Sequence, residues 1–185
     1  MLNFWIAIGV IAVLLIGIVS IYNSIIVLKN EAENAWRQIC VQLKRRHDLI
    51  PNFVETVKGF ATHEKETLEK VIKARQTAVN LQNASPQAIS QAENQLAGAL
   101  KSLFALNESY PDIKANQNFM ALQEELSTTE NKIAFARQFY NDSVMNYNQK
   151  IQIFPNNVIA GMFSFKARQY FEIDKAETKP VQVKF

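Results

Sequence analysis

The chain has 185 residues, with 20 Lys and Arg against 17 Asp and Glu, a net charge of +3, and one cysteine. So slight a positive balance, with acidic residues interspersed among the basic ones, argues against a nucleic-acid binder. A lone cysteine excludes an intramolecular disulfide framework and agrees with a reducing compartment.

Charge is absent from the start of the chain. Met1 to Leu28 contains no Lys, Arg, Asp or Glu, and Lys29 is the first cation. A helix needs about 20 apolar residues to cross roughly 30 Å of hydrocarbon. Phe4 to Val19 is almost entirely Ile, Val, Leu, Ala and Gly, and the stretch between Trp5 and Tyr22 measures about 26 Å as helix. Amphipathic rings favour the headgroup levels, so Trp5, Tyr22 and Lys29 are the expected membrane-interface residues. The rival reading is a cleaved signal peptide, which usually has a basic n-region and a small-x-small cleavage site. Met1-Leu2-Asn3 carries no Lys or Arg, and Ile16-Gly17-Ile18-Val19-Ser20 matches such a site poorly. An uncleaved single-pass anchor over 1–28 is the expectation. Lys29, Arg37, Lys44, Arg45 and Arg46 all follow the span and none precedes it. The positive-inside rule then puts Met1 outside and the remainder in the cytoplasm, at the cytoplasmic (inner) membrane.

From Ile25 an apolar stripe at helical spacing runs through Leu28, Ala32, Ala35, Ile39, Leu43, Ile50, Val54, Val57, Ala61, Leu68, Ile72 and Val79, predicting a very long first helix continuous with the anchor. Arg46 and Glu64 interrupt the stripe. Pro51 lies inside it, lacks a backbone donor and crowds the carbonyl of His47. Because the stripe keeps phase across it, a kink is expected and not a break. Leu81 to Ser85 reads as a turn, and Ser85-Pro86 as a helix start with Ser as cap and Pro in the first turn. A second helix carries Ile89, Ala92, Leu96, Ala99, Leu103 and Leu106 to Tyr110-Pro111. A third carries Phe119, Leu122, Leu126, Ile133, Ala136, Tyr140, Val144, Tyr147 and Ile151 to Phe154-Pro155. Val158 to Phe171 suggests a short helix capped by Asn156 or Asn157. No strand alternation is evident. The expected fold is all-α, an N-terminal transmembrane helix followed by an antiparallel helical bundle, with a bundle domain over 29–172 and a flexible tail over 173–185.

Chemistry-bearing constellations are absent. His47 and His63 lack metal-ligand spacing and read as surface or boundary residues. There is no Gly-x-Ser-x-Gly, Cys40 sits in a continuous helical pattern, and Gly59 and Gly161 stand alone. No catalytic residue, metal or cofactor is expected, and the protein is read as a non-enzyme. Lys44-Arg45-Arg46 lies about 24 Å beyond Leu28 along an upright helix, too far for anionic lipid when screening acts within about 8 Å. Arg46 falls on the apolar stripe, where a buried charge needs a partner. The expected ties are from Arg45 or Arg46 to Asp48 and to Glu108 or Asp112, holding the bend at Pro51. The aromatic string Phe154, Phe163, Phe165, Tyr170 and Phe171 is either a segment packed on the bundle or an exposed patch for a partner.

The strings Val41-Gln42-Leu43-Lys44-Arg45-Arg46-His47-Asp48-Leu49-Ile50-Pro51-Asn52, Tyr110-Pro111-Asp112-Ile113-Lys114-Ala115-Asn116, Tyr140-Asn141 and Phe154-Pro155-Asn156-Asn157, continuing to Ala160-Gly161-Met162-Phe163, resemble the LemA family over essentially 1–172. The resemblance implies a bacterial protein with an N-terminal membrane anchor and a helical bundle facing the cytoplasm. It supplies no catalytic residue. Some relatives take part in building a magnetosome membrane organelle, so membrane organisation follows as an analogy. The combined expectation is a membrane-anchored scaffold or adaptor, held in the lipid bilayer by its first helix, whose bundle binds a protein partner or itself. A membrane-shaping homo-oligomer is the alternative. Arg45, Arg46, Asp48 and Pro51, with Tyr110, Pro111 and Asp112, form the candidate structural or partner site.

Overall fold

A first helix, α1 (Leu2–Lys58), runs through Pro51 without interruption. Its beginning is exposed from Leu2 through Ile16, and among the described residues α1 is the one helix long and apolar enough to cross a membrane. The computed structural model describes residues 1–61 and 63–171, except the side chains of residues 107–109, 111 and 114. The expected tail lies outside the described residues. Five further helices follow: α2 (Lys65–Asn80), α3 (Pro86–Ser109), α4 (Pro111–Lys114), α5 (Gln117–Gln152) and α6 (Asn156–Met162). No strand occurs among the described residues, and the fold is all-α.

The apolar stripe does not continue as one helix to Val79. The first helix ends at Lys58, just before Gly59, a poor helix former, and α2 restarts after Glu64, where the stripe had its second gap. The phase slips there. Ile50, Val54, Val57 and Ala61 are buried as the stripe demands, but in α2 the buried positions are Leu68, Val71 and Ala78, while Ile72 is 51% exposed. Ser85 caps α3 as its sequence indicates, its hydroxyl accepting from the Ala88 amide at 3.3 Å with Pro86 at the first turn. Asn116 does the same for α5, its Oδ1 accepting from the Phe119 amide at 3.0 Å.

The described residues divide into two compact units, Met1–Arg37 with Gln138–Gln169, and Gln38–Arg137 with 170–171. In the second, α1, α2, α3, α4 and α5 surround one core. Phe53, Val57, Val71, Leu96, Leu103, Ile113 and Phe119 are at its centre. The Phe53 ring stacks on Phe119 at 5.0 Å and meets Phe104 edge-on at 5.4 Å.

In the first unit, Trp36 packs on Tyr140 at 5.2 Å while Ile25 clusters with Tyr147 and Ile151, so α1 and α5 run antiparallel there. The last helix is shorter than expected and begins earlier, at Asn156, with Pro155 rather than an Asn in the capping position. It closes as a Schellman motif. The Phe165 amide donates to Ala160 O at 2.9 Å and the Ser164 amide to Gly161 O at 3.2 Å, with Ser164 at φ 56°. Phe165 packs against the cluster that contains Ala160, in keeping with the apolar contact this motif favours. That stop prevents the helix from reaching Phe171. The strap beyond it is held by one face of α5, whose Tyr147 and Tyr140 hydroxyls donate to Lys166 O (3.0 Å) and Gln169 O (2.8 Å). Asn148 both donates to and accepts from the Arg168 backbone, each at 2.9 Å. These side chains satisfy backbone groups that have no ladder. Because an L-residue in the left-handed region costs about 1 kcal/mol relative to glycine, Ser164→Gly should raise thermal stability in detergent micelles by about that amount. A lower melting temperature would contradict the strain assigned to Ser164.

Candidate functional site

The second unit carries a cluster of charged side chains in its interior. Arg46 is 2% exposed, although it carries the longest polar side chain on the α1 stripe. Its spacing from Leu43 and Ile50 forces it inward, and burial obliges it to find anions. Two helices supply them. One guanidinium nitrogen donates to Glu93 Oε2 on α3, and the other to Glu130 Oε2 on α5. Glu93 is itself buried, and its second oxygen pairs with His47 Nε2 at 2.8 Å. Arg45 beside them reaches Glu125 on α5 at 2.7 Å, in a far more exposed pair. Burial alone would push the Glu93 carboxyl up. The hydrogen bond with His47 and the charge of Arg46 outweigh it and hold Glu93 below the ordinary glutamate range.

Pro51 lies on the exposed side of α1, four residues after His47. With no N–H at 51, the His47 carbonyl loses its intrahelical donor. Arg75 of α2 takes that place, its Nε–H donating to His47 O at 2.7 Å. His47 is thus gripped twice, by Glu93 through the ring and by Arg75 through the backbone. Arg46 and its neighbours hold α1 to α3 and α5, and the proline-created vacancy holds it to α2.

The expected partners of Arg46 are not the ones used. Asp48 pairs with Lys44 at 2.8 Å along the same helix, Asp112 is exposed on α4, and the Glu108 side chain is not among those described. The reason is topological. Because the chain reverses first at Gly59–Glu64, α3 runs parallel to α1, so Glu93 near its start meets Arg46 and Phe104 further on meets Phe53. His47 is also corrected. It is buried, not a surface or boundary residue, while His63 is exposed.

Tyr110, Pro111 and Asp112 form a separate knot. The Tyr110 hydroxyl donates to Glu64 Oε1 at 3.2 Å at the start of α2, Pro111 opens α4, Ile113 is wholly buried in the core, and Asn116 caps α5. The sequence Tyr110–Asn116 therefore closes the end of the bundle. Among the membrane-interface residues, Trp5 is 67% exposed, Lys29 is exposed, and the Tyr22 ring packs on Phe163 at 4.7 Å and Phe165 at 5.7 Å. The aromatic string divides. Phe171 is buried, and Arg137 lies over its ring at 6.0 Å, whereas Phe154 is 81% exposed.

Glu93 was missed from sequence, although the signal was present. It stands between Ile89 and Leu96 at helical spacing, an acid on an apolar face that mirrors Arg46 on its own stripe. Arg75 and Glu130 gave no such signal, being polar residues on half-exposed faces.

Chemically the cluster braces the bundle. Both oxygens of Glu93 are engaged by cationic or polar nitrogens, which leaves it poorly suited to take a proton from a substrate. No group of three or more His, Cys, Asp or Glu capable of holding a metal occurs among the described residues. The architecture is that of a membrane-associated helical-bundle protein, stabilised by a buried ionic cluster and preceded by a helix able to cross a bilayer.

Sequence comparison narrows this class. The LemA family matches residues 35–185, and the chain belongs to that family. It is similar to Protein LemA of Metamycoplasma hominis, 28% identical over 154 residues, which cover 80% of this chain and 69% of the relative. It is also similar to Magnetosome protein MamQ 2 of Paramagnetospirillum magneticum, 23% identical over 184 residues, covering 86% and 68%. Magnetosome protein MamQ of Magnetospirillum gryphiswaldense is 22% identical with the same coverage.

Proposed function

We propose that the protein is a membrane-anchored, non-enzymatic scaffold or adaptor whose bundle faces the cytoplasm and binds another protein. The observation that carries this reading is an open groove of about 540 Å³ between the end of α1 and α2. Val54, Ala61, Leu68 and Ile72 line it, with Glu55, Lys58, Lys65 and Glu69 around them. An apolar floor within a rim of both charge signs suits an amphipathic helix laid along it. Asp112 and Pro51, both exposed, offer further contact surface at the bundle. The cations that follow the apolar run support the cytoplasmic orientation.

Affinity capture from gently solubilised membranes, followed by sizing, tests the proposal. A stable heteromeric partner, lost with Ile72→Glu and weakened by Asp112→Lys, is expected, since both side chains are exposed and neither change should unfold the bundle. A lone monomer would overturn the scaffold reading. Protease added to intact spheroplasts should leave the bundle whole, and its digestion would overturn the orientation. The names of the magnetosome relatives favour one second reading, a membrane-organising homo-oligomer, for which large homomeric particles would be the expected eluate.

A further inference from the structure

We infer that the tip of the first unit, from Ile153 through Phe163, is a second lipid-binding element that enters the bilayer interface beside α1. This inference rests on the membrane-anchor reading of α1 and adds a contact that the anchor alone does not require.

Three observations converge on it. Between Lys150 and Lys166 the chain carries no charged side chain, yet much of its apolar surface faces outward. Ile153 is 54% exposed, Phe154 81%, Val158 52%, Met162 69% and Phe163 51%. Meanwhile Ile151, Asn156, Ile159 and Ala160 are the inward residues of the same stretch, so the exposed set is a face and not the whole segment. A contiguous apolar face of this kind marks a binding surface.

The second observation is position. The tip is docked on α1 within the first unit, with Phe163 on Tyr22 and with Ile151, Ala160 and Phe165 around Ile21, Ile25 and Leu28. All of these α1 residues belong to the uncharged run.

The third is length. Every residue of α1 from Leu2 to Ile16 is exposed, and partial burial begins at Gly17. That bare stretch is about 22 Å of helix, short of the roughly 30 Å that hydrocarbon requires. The uncharged run continues from Gly17 to Leu28 through the turns that the tip covers, which places the tip at the depth where acyl chains meet headgroups. There its exposed Phe, Met, Ile and Val side chains find an apolar medium, while Lys150 and Lys166 flank it as cations suited to headgroup phosphates. The lipid surface is favoured over a protein partner because this apolar face adjoins the membrane helix itself.

The test is site-specific fluorescence in proteoliposomes containing anionic lipid. The full chain in a Cys40→Ser background is labelled with an environment-sensitive dye at Phe154→Cys and, separately, at Met162→Cys. Leu14→Cys serves as the bilayer reference and Ser127→Cys as the aqueous one. Both tip labels should emit to the blue of the Ser127 label, lose most of their emission to shallow nitroxide lipids and resist aqueous iodide, at a depth of about 5–10 Å into the interface. Tip labels quenched by iodide, with the Leu14 label still in lipid, would overturn this inference and leave the anchor standing. An aqueous Leu14 label would overturn the anchor reading and this inference with it.

Discussion

Glu93→Gln should unfold the bundle more readily than any single surface change, lowering stability by about 3–5 kcal/mol in thermal or denaturant melts of the full chain in micelles. The substitution keeps shape and removes one charge, so Arg46 is left buried with half of its counter-charge gone. Breaking a buried pair from one side carries that scale of penalty, whereas replacing the whole arrangement with apolar groups of similar volume is often neutral. The double variant Arg46→Met with Glu93→Leu should accordingly recover much of the loss. Failure of the double variant to exceed Glu93→Gln would show that the penalty is not an uncompensated charge. Acid should act as a milder form of the same change. The folded protein holds Glu93 below the ordinary glutamate range, so its contribution is complete above that range and is lost as pH falls through the depressed value. The melting temperature of the wild type should drop more steeply with acid than that of the double variant. Parallel acid profiles would remove Glu93 as the cause.

Arg75→Met should cost about 1–3 kcal/mol, the penalty of leaving a partly buried carbonyl without its donor, and Pro51→Ala should abolish most of that cost. An alanine at 51 restores an N–H that can donate to His47 O within the helix, which makes the Arg75 bond redundant. The two substitutions should therefore be strongly coupled in a double-mutant cycle. Additive effects would mean that Arg75 contributes through something other than the carbonyl that Pro51 leaves unserved. Equal melting curves for wild type and Arg75→Met would remove the grip altogether.

Much of this construction was legible in the residues. Ser85-Pro86 announced the start of α3 because its capping chemistry is local. The uncharged run to Leu28 marked the membrane helix, because hydrocarbon excludes charge regardless of what packs nearby. Arg46 betrayed its own burial by sitting in phase with Leu43 and Ile50. Even the vacancy at His47 O was readable from Pro51. The break at Gly59 was harder. Stripe phase survives a short turn closely enough that Leu68 fits either continuation, and the two part only further on, at Val71 against Ile72 and Ala78 against Val79.

The amino-acid sequence by itself determined that the chain is helical, that its beginning suits a bilayer, and that one arginine must be neutralised inside. Those outcomes follow from helical period, hydrocarbon length and the cost of burying charge, all of which act along or within a single segment. Which anion answers Arg46, which side chain serves the His47 carbonyl, and which apolar face at the tip stays uncovered were decided by tertiary structure. Each depends on the direction in which a neighbouring helix runs: the reversal at Gly59–Glu64, followed by the one at Leu81–Ser85, sets α3 parallel to α1 and brings Glu93, not Glu108 or Asp112, to the buried guanidinium.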